Sequence, residues 1–492
     1  MGDTAYKMSK TYKEICESNE KGRIHADWDS LSSFRIPAWF EDAKFGIFIH
    51  WGVFSVPAFN NEWYSRSMYV KGSPEYEHHI KTYGPHDKFG YKDFIPMFRA
   101  EEFDPEYWAE VFAQAGARYV VPVAEHHDGF QMYDSDLSGY CASKMGPKRD
   151  VLGELKKSVE NRGLVFGTST HRAEHYFFMG PGRDFESDIH EPLNKGDLYW
   201  PSLSEQPNTE NVFDRYAPKS DFLEDWVERT CEIIDKYSPR VLYFDWWIQH
   251  KAYKPYLRQI MAYYYNHGEE HGYPTAICYK HEALAFGTGI VDVERGKFAE
   301  AEPYHWQTDT AIARNSWCYT TNLDYKSSGE IIQYLADVVA KNGNLLLNVG
   351  PKSDGTFAGE DLSILLDIGE WLNTNGEAIY DSKPWRYAEE GPTAESEGMF
   401  TDGKATEYTS ADIRYTAGHG AVYAIFLRCP EDGHFDMKSV VRAGDKNSFI
   451  VKNVSVLGYE GKQKFKIDGS GLHFVNKDIK SRFPVVVRIE TE

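Results

Sequence analysis

Two acidic residues that end predicted β-strands are the best candidates for catalytic groups in this sequence. Asp245 follows the apolar run that starts at Arg240, and Glu294 ends the run that starts at Gly289. A carboxylate in such a place is buried, which is costly unless polar neighbours compensate it. A pair of carboxylates can divide the roles of nucleophile and general acid in glycoside hydrolysis. Alternatively, Asp245 is structural and caps a following helix or pairs with an arginine.

Polar and aromatic residues also follow the other predicted strands. These residues are His50, Glu62, Trp63, His126, His127 and His171. Neighbouring side chains on a strand point to opposite faces, so His126 and His127 serve one site only where the strand has ended. Three roles stay open for this pair, namely contacts to sugar hydroxyls, structural hydrogen bonds and metal ligation. Glu62 and Trp63 could instead pack within their loop.

Strands and helices alternate over most of the chain. Strands are predicted at 43–51, 119–124, 164–169, 240–245, 275–279, 289–294 and 344–349, and helices at 105–116, 151–162, 221–237, 256–267, 330–341 and 360–375. This α/β alternation favours a (β/α)₈-like TIM barrel, in which the carboxyl ends of the strands carry the active site. A flat doubly wound sheet is the rival, but no glycine-rich phosphate loop follows a strand.

The pattern changes after Trp385. Short alternating runs at 421–428, 448–457 and 484–489 are typical of antiparallel strands. We therefore predict a catalytic domain over 1–385 and a C-terminal all-β sandwich domain over 386–492.

Composition excludes several classes of partner. The chain has 54 basic and 75 acidic residues, a net charge of −21, which disfavours nucleic acid and anionic membranes. No apolar run is long enough to span a membrane. The six cysteines are far apart, so neither a zinc site nor a disulfide scaffold is indicated. The polar first residues resemble no export signal, which predicts a cytoplasmic protein, or a secreted or periplasmic one if a leader was removed.

Over nearly its whole length the sequence resembles the α-L-fucosidases of glycoside hydrolase family 29. The matching motifs are the segment 39–52, Asn61-Glu62-Trp63-Tyr64, the segment 126–130, the strand ending at Asp245 and the segment 344–351. To the run 342–351, which contains the last of these segments and is typical of a core strand plus turn, we assign no chemistry.

The resemblance implies a retaining exo-hydrolase that removes terminal α-linked L-fucose from fucosylated glycans or oligosaccharides and that needs no metal or organic cofactor. It implies that Asp245 is the nucleophile. It further implies that the sugar hydroxyls are held by His50, Glu62, Trp63, His126 and His127.

Some positions depart from the family pattern. Glu294 is our choice for the general acid/base, with Glu300 and Glu302 as rivals. His171 stands where many relatives carry a tyrosine, and Lys280 lies near the place of an arginine in some relatives. Trp317 fits the aromatic residue against the methyl face of the sugar.

Two other functions stay open. A catalytically silent fucose-binding protein would keep the pocket, although the presence of both Asp245 and Glu294 argues against it. The second is a barrel glycosidase for a related sugar such as galactose. Comparing the turnover of a fucoside and a galactoside would distinguish it from a fucosidase.

Overall fold

A closed parallel barrel forms the first and larger part of the chain. The computed structural model describes residues 9–190, 192–203, 214–441 and 450–492. The barrel strands are β1 (Phe45–Ile49), β2 (Tyr119–Glu125), β3 (Val165–Phe166), β4 (Thr168–Thr170), β5 (Val241–Phe244), β6 (Ala276–Lys280), β7 (Ile290–Glu294), β8 (Trp306–Ala311) and β9 (Gly343–Val349). They pair in the order β1-β9-β8-β7-β6-β5-β4-β2, and β1 also pairs with β2, which closes the barrel. Because β3 and β4 are two parts of one interrupted strand beside β2, the barrel has eight positions, and the predicted fold class is confirmed.

Helices surround most of the barrel. They are α1 (Tyr12–Lys21), α2 (Trp28–Leu31), α3 (Ala38–Ala43), α4 (Tyr64–Ser67), α5 (Pro74–Tyr83), α6 (Pro105–Gln114), α7 (Val151–Asn161), α8 (His175–Phe178), α9 (Ser220–Tyr237), α10 (Lys254–His271), α11 (Ser328–Ala340) and α12 (Gly359–Asn375). Helices α6, α7, α9, α10 and α11 connect neighbouring barrel positions, but the links at 281–289 and 295–305, after β6 and β7, are not helical. Of the helices in the described ranges, none has the length and apolarity needed to cross a membrane.

Helix α1 and strand β8 are two of the elements that were not predicted from the sequence. The polar start of the chain contains α1, which begins with a capping box between Thr11 and Glu14 and packs on α9 and α10. Strand β8 was missed because its sequence is mostly polar. It is nevertheless fully buried, since Gln307 donates to Asp292 at 2.7 Å and Asp309 accepts from a tyrosine of β5 at 2.8 Å. A polar interior therefore replaced the apolar pattern by which strands are recognised.

Two antiparallel sheets form the C-terminal part. Their strands are β10 (Lys383–Glu390), β11 (Ile413–Gly418), β12 (Ala421–Phe426), β13 (His434–Met437), β14 (Val451–Val456), β15 (Phe465–Asp468), β16 (Gly471–Val475) and β17 (Val485–Thr491). The orders are β10-β11-β12-β17-β14 and β13-β16-β15, and both sheets contribute to one apolar core. The predicted runs correspond to β12, β14 and β17, although 448 and 449 lie outside the described residues. The domain boundary at 385 stays a prediction.

Candidate active site

A cavity of about 690 Å³ opens where the barrel strands end. Parallel strands bring their carboxyl ends to one rim, so residues that directly follow different strands meet there. All nine predicted site residues line the cavity, namely His50, Glu62, Trp63, His126, His127, His171, Asp245, Glu294 and Trp317. The remaining lining residues are Phe48, Glu174, Trp246, Trp247, Lys280, His281, Asp309 and Phe400.

Asp245 comes directly after β5 and is held by three cationic or hydrogen-bonding side chains. His171 Nδ1 lies 3.0 Å from Oδ2, His127 Nε2 lies 3.4 Å from the same oxygen, and Lys280 Nζ donates to Oδ1 at 2.8 Å. Burial alone raises the pKa of the Asp245 carboxyl, but Lys280 and His171 more than offset this and hold that pKa well below its ordinary value. Asp245 is therefore a carboxylate over the whole neutral range.

Glu294, at the end of β7, has a carboxyl pKa that is shifted in the opposite direction from that of Asp245. Burial raises the pKa of its carboxyl to about 7, against the lowering effect of Lys280 and with a further increase from Asp309 and Asp245. Its Oε2 accepts from Lys280 Nζ at 2.5 Å and from Trp246 Nε1 at 2.5 Å. With both donors on Oε2, Oε1 is the atom suited to carry a proton.

Lys280 connects the two carboxylates. It is the last residue of β6, it is buried, and its Nζ contacts both Asp245 and Glu294 and lies 3.6 Å from Asp309 Oδ2. Burial lowers the pKa of Lys280, but the surrounding carboxylates raise it well above its usual value, so the side chain stays charged. From the sequence, Lys280 was noted only because it lies near the place of an arginine in some relatives. Its position at a strand end between Asp245 and Glu294 was the available signal.

Four histidines form a wall of the cavity beside Asp245, and two of them contact its carboxylate. Burial lowers the pKa of His50, His126 and His171, which are therefore neutral at pH 7. His171 is oriented by its two ring nitrogens, since Nε2 lies 2.9 Å from the Ser169 hydroxyl while Nδ1 faces Asp245. The fourth is His127.

His127 differs from the other three in charge. Burial alone lowers its pKa, but Glu174 and Asp245 raise the pKa to about 9. Its Nδ1 lies 3.5 Å from Glu174 Oε2, and its Nε2 faces Asp245. An imidazolium in this position adds a second cation beside the candidate nucleophile.

An amide on β9 sets the orientation of two more predicted residues. Asn348 Oδ1 lies 2.6 Å from His50 Nδ1, and Asn348 Nδ2 donates to the Trp317 carbonyl at 2.6 Å. His50 thus donates from Nδ1 and keeps Nε2 free for the cavity side. The segment 344–351 was given no chemistry in the sequence analysis, because its apolar residues are typical of a core strand.

Glu62 and Trp317 are joined as well. The Trp317 amide donates to Glu62 Oε2 at 3.0 Å, and the indole of Trp317 lies 5.2 Å from the His50 ring. Trp63, which is 36% exposed, packs edgewise on His127 with 5.8 Å between ring centroids. The cavity therefore combines carboxylate and imidazole groups with aromatic walls.

The rival glutamates lie outside the cavity lining. Glu300 is exposed on the segment between β7 and β8. Glu302 is bonded through its backbone to Lys341 and to the Asn342 side chain, next to the amino end of β9. That position is at the opposite end of the barrel from Asp245.

The histidine wall also has the geometry of a metal site. Ligand nitrogens of His50, His126 and His171 lie within 4.8 Å of one another, as do ligand atoms of His127, His171 and Asp245. His171 already bonds through both ring nitrogens, and the cationic His127 has no lone pair to offer. These histidines are thus better suited to hydrogen bonding than to binding a metal ion.

Comparisons with known proteins agree in family. The profile of the α-L-fucosidase family matches residues 11–377. Human tissue α-L-fucosidase is 32% identical over 454 residues, which cover 91% of this chain and 86% of that protein. Human plasma α-L-fucosidase is 31% identical, with coverage of 85% and 82%.

A solved structure agrees over nearly the whole length of the chain. The crystal structure of Thermotoga maritima α-fucosidase in complex with fucose superimposes with a TM-score of 0.74 at 30% identity, and the match covers 95% of this chain and 100% of that one. With the match of the family profile over most of its length, this chain belongs to the α-L-fucosidase family of glycoside hydrolases.

Proposed function

We propose that this enzyme hydrolyses terminal α-L-fucosides of glycans with retention of configuration, using Asp245 as nucleophile and Glu294 as general acid/base. The observation that carries the proposal is the bridge made by Lys280. One buried ammonium contacts a carboxylate whose pKa is lowered and a carboxyl whose pKa is raised. Environments that push two carboxyl pKa values apart in this way assign the base-like and acid-like roles.

The distance between the two groups supports retention. Lys280 Nζ lies 2.8 Å from Asp245 Oδ1 and 2.5 Å from Glu294 Oε2. The sum of these distances is an upper limit for the separation of the two oxygens, and it falls below the roughly 6.5 Å that inverting enzymes need to admit a water. An upper limit of this size is compatible with the spacing of about 5 to 5.5 Å in retaining enzymes.

The reaction then has two steps. An Asp245 oxygen attacks C1 of fucose while Glu294 protonates the glycosidic oxygen, so the C1–O bond to the aglycone breaks and a fucosyl ester forms. Glu294, now a carboxylate beside Lys280, removes a proton from water as that water attacks C1. The ester bond breaks, α-L-fucose leaves, and both carboxyl groups return to their first states.

The walls of the cavity suit a deoxyhexose. His50, His126 and Glu62 offer polar atoms for hydroxyl groups, while Phe48 and Trp317 offer apolar surface for a methyl group. Structures of the Thermotoga maritima enzyme hold fucose in one case and a mechanism-based inhibitor in another. We infer the same substrate class for this chain.

The proposal is tested by comparing the turnover of a chromogenic α-L-fucoside with that of the corresponding α-L-galactoside. Fucose lacks the hydroxyl that galactose carries at C6, so a fitted methyl pocket should favour the fucoside by ~1 to 3 kcal/mol in transition-state binding. Equal or better turnover of the galactoside would identify a different glycosidase. A protein that binds fucose but turns over neither substrate would be a sugar-binding protein.

A further inference from the structure

Three residues outside the predicted set line the cavity on the side of Glu294. Trp246 donates from its indole to Glu294, its ring lies 4.5 Å from that of His281, and its plane is nearly parallel to Phe400, at 12° with 6.2 Å between centroids. A general acid must touch the oxygen that joins the two parts of the substrate. The part that leaves must therefore lie beside Glu294 and these three rings.

Phe400 is unusual in both exposure and backbone. Its side chain is 57% exposed, although it is a large apolar group. Its φ is +57°, in the left-handed region that bulky residues rarely adopt. His281 has φ +49° and is also exposed. Strained, exposed aromatic residues that cluster at a cavity contribute little to a core and point to a binding role.

Backbone contacts fix Phe400 relative to the general acid. The Phe400 amide donates to the Glu294 carbonyl at 2.9 Å, and the Thr401 amide donates to the Arg295 carbonyl at 2.8 Å. Just before them, Lys297 and Gly398 form an antiparallel bridge. Segment 398–402 thus lies along the residues that follow β7.

A buried ionic contact anchors the same segment. Asp402 accepts from Lys326 Nζ at 2.6 Å and lies 3.5 Å from the Arg295 guanidinium. The backbones also approach too closely for side chains, since a Cβ on Gly296 would lie 1.8 Å from the Gly398 carbonyl oxygen. Phe400 is therefore held in place by close packing between the residues that follow β7 and a segment that follows β10.

We propose that Trp246, His281 and Phe400 form the binding site for the sugar that leaves with the glycosidic oxygen. This site rests on the proposed function and deepens it. The aromatic faces would stack on the C–H face of a pyranose, and the imidazole would bond a hydroxyl at its edge. A segment beyond the barrel strands would then set the preference for sugar leaving groups over small ones.

The test compares two substrates in wild type and variants. α-L-Fucosyl fluoride has a leaving group too small to reach the three rings, whereas an α-L-fucosyl disaccharide places a pyranose on them. The quantity measured is the ratio of kcat/KM for the disaccharide to kcat/KM for the fluoride. We expect Phe400→Ala to lower this ratio by about tenfold, the value of one stacked ring, and Phe400→Trp to retain it.

Phe286→Ala is the matched control. Phe286 is another exposed phenylalanine, 69% exposed, which packs on Tyr304 outside the cavity lining, so its loss should leave the ratio unchanged. A ratio for Phe400→Ala within about twofold of wild type, with fluoride still turned over, would overturn the leaving-group site alone. A wild type that turns over neither substrate would instead overturn the proposed function.

Discussion

The two halves of the barrel differ in what fills them. Strands β1, β2 and β9 form the more apolar half, in which Phe48, Tyr119 and Leu346 pack in one buried cluster. On β5 to β8 a hydrogen-bonded network of Tyr243, Asp292, Gln307 and Asp309 is buried instead. The strands of the apolar half are followed by His50, His126 and the cationic His127, whereas the polar half ends in the two carboxylates and their lysine. The two halves thus bring different kinds of side chain to one cavity.

The outer layer follows the same division. The links after β6 and β7 are not helical, and segment 398–402 lies against the residues that follow β7. A covering helix would occupy that place in a regular barrel. The polar half therefore accepts a contribution from a distant part of the chain, while the apolar half is closed by its own helices.

Removal of the nucleophile should have the largest effect. Asp245→Asn keeps the shape of the side chain but cannot form the ester, so kcat on a chromogenic fucoside should fall by ~10⁴-fold or more. Fucose binding, measured by calorimetry, should persist because the histidine wall is unchanged. Asp361→Asn is the matched control, since it changes a buried carboxyl that lies outside the cavity lining. Comparable losses in both variants would show that the effect is structural.

Removal of the acid should depend on the leaving group. Glu294→Ala should slow fucosyl disaccharides by ~10² to 10⁴-fold and activated aryl fucosides far less, because good leaving groups need no proton. With activated aryl fucosides, azide should restore activity, because it replaces the water in the second step, needs no general base and releases the sugar as a fucosyl azide. Glu300→Ala should behave as wild type. If Glu300→Ala abolishes disaccharide cleavage and Glu294→Ala does not, the acid has been assigned to the wrong glutamate.

The bridge between the carboxylates should appear in the pH profile. The proposed mechanism requires Asp245 ionised and Glu294 protonated, so kcat/KM should fall below the low pKa of Asp245 and above the pKa of Glu294, about 7. Lys280 lowers both pKa values, hence Lys280→Met should move both limbs to higher pH, the upper one by roughly 1 to 3 units. An unchanged profile would mean that Lys280 does not control either group.

The apolar half should show the smallest effect. Asn348→Leu removes the hydrogen bonds that orient His50 and the Trp317 carbonyl, worth ~1 to 3 kcal/mol where partners are left unpaired. KM should rise and the affinity for fucose should fall, each by about tenfold, with little change in the pH profile. A shifted profile would show that the two halves are not separable in function.

The burial of polar residues limits how far the sequence could be interpreted. Periodicity located the apolar strands, and the strand-end rule brought Asp245, Glu294 and the histidines to one rim. Strand β8 escaped because its inward residues Gln307 and Asp309 are polar, and their burial depends on partners from other strands. Asn348 was hidden within an apolar run. Phe400 could not be found, because its place beside Glu294 arises from tertiary packing between segments that are distant in the chain.

Trapping the ester tests the central claim most directly. The enzyme is incubated with a 2-deoxy-2-fluoro-α-L-fucosyl donor that forms the intermediate quickly and hydrolyses it slowly, and the labelled peptide is identified by mass spectrometry. The account predicts one fluorofucosyl group on Asp245 and no label in Asp245→Asn. A label on another residue, or full activity with no trapped intermediate, would contradict it.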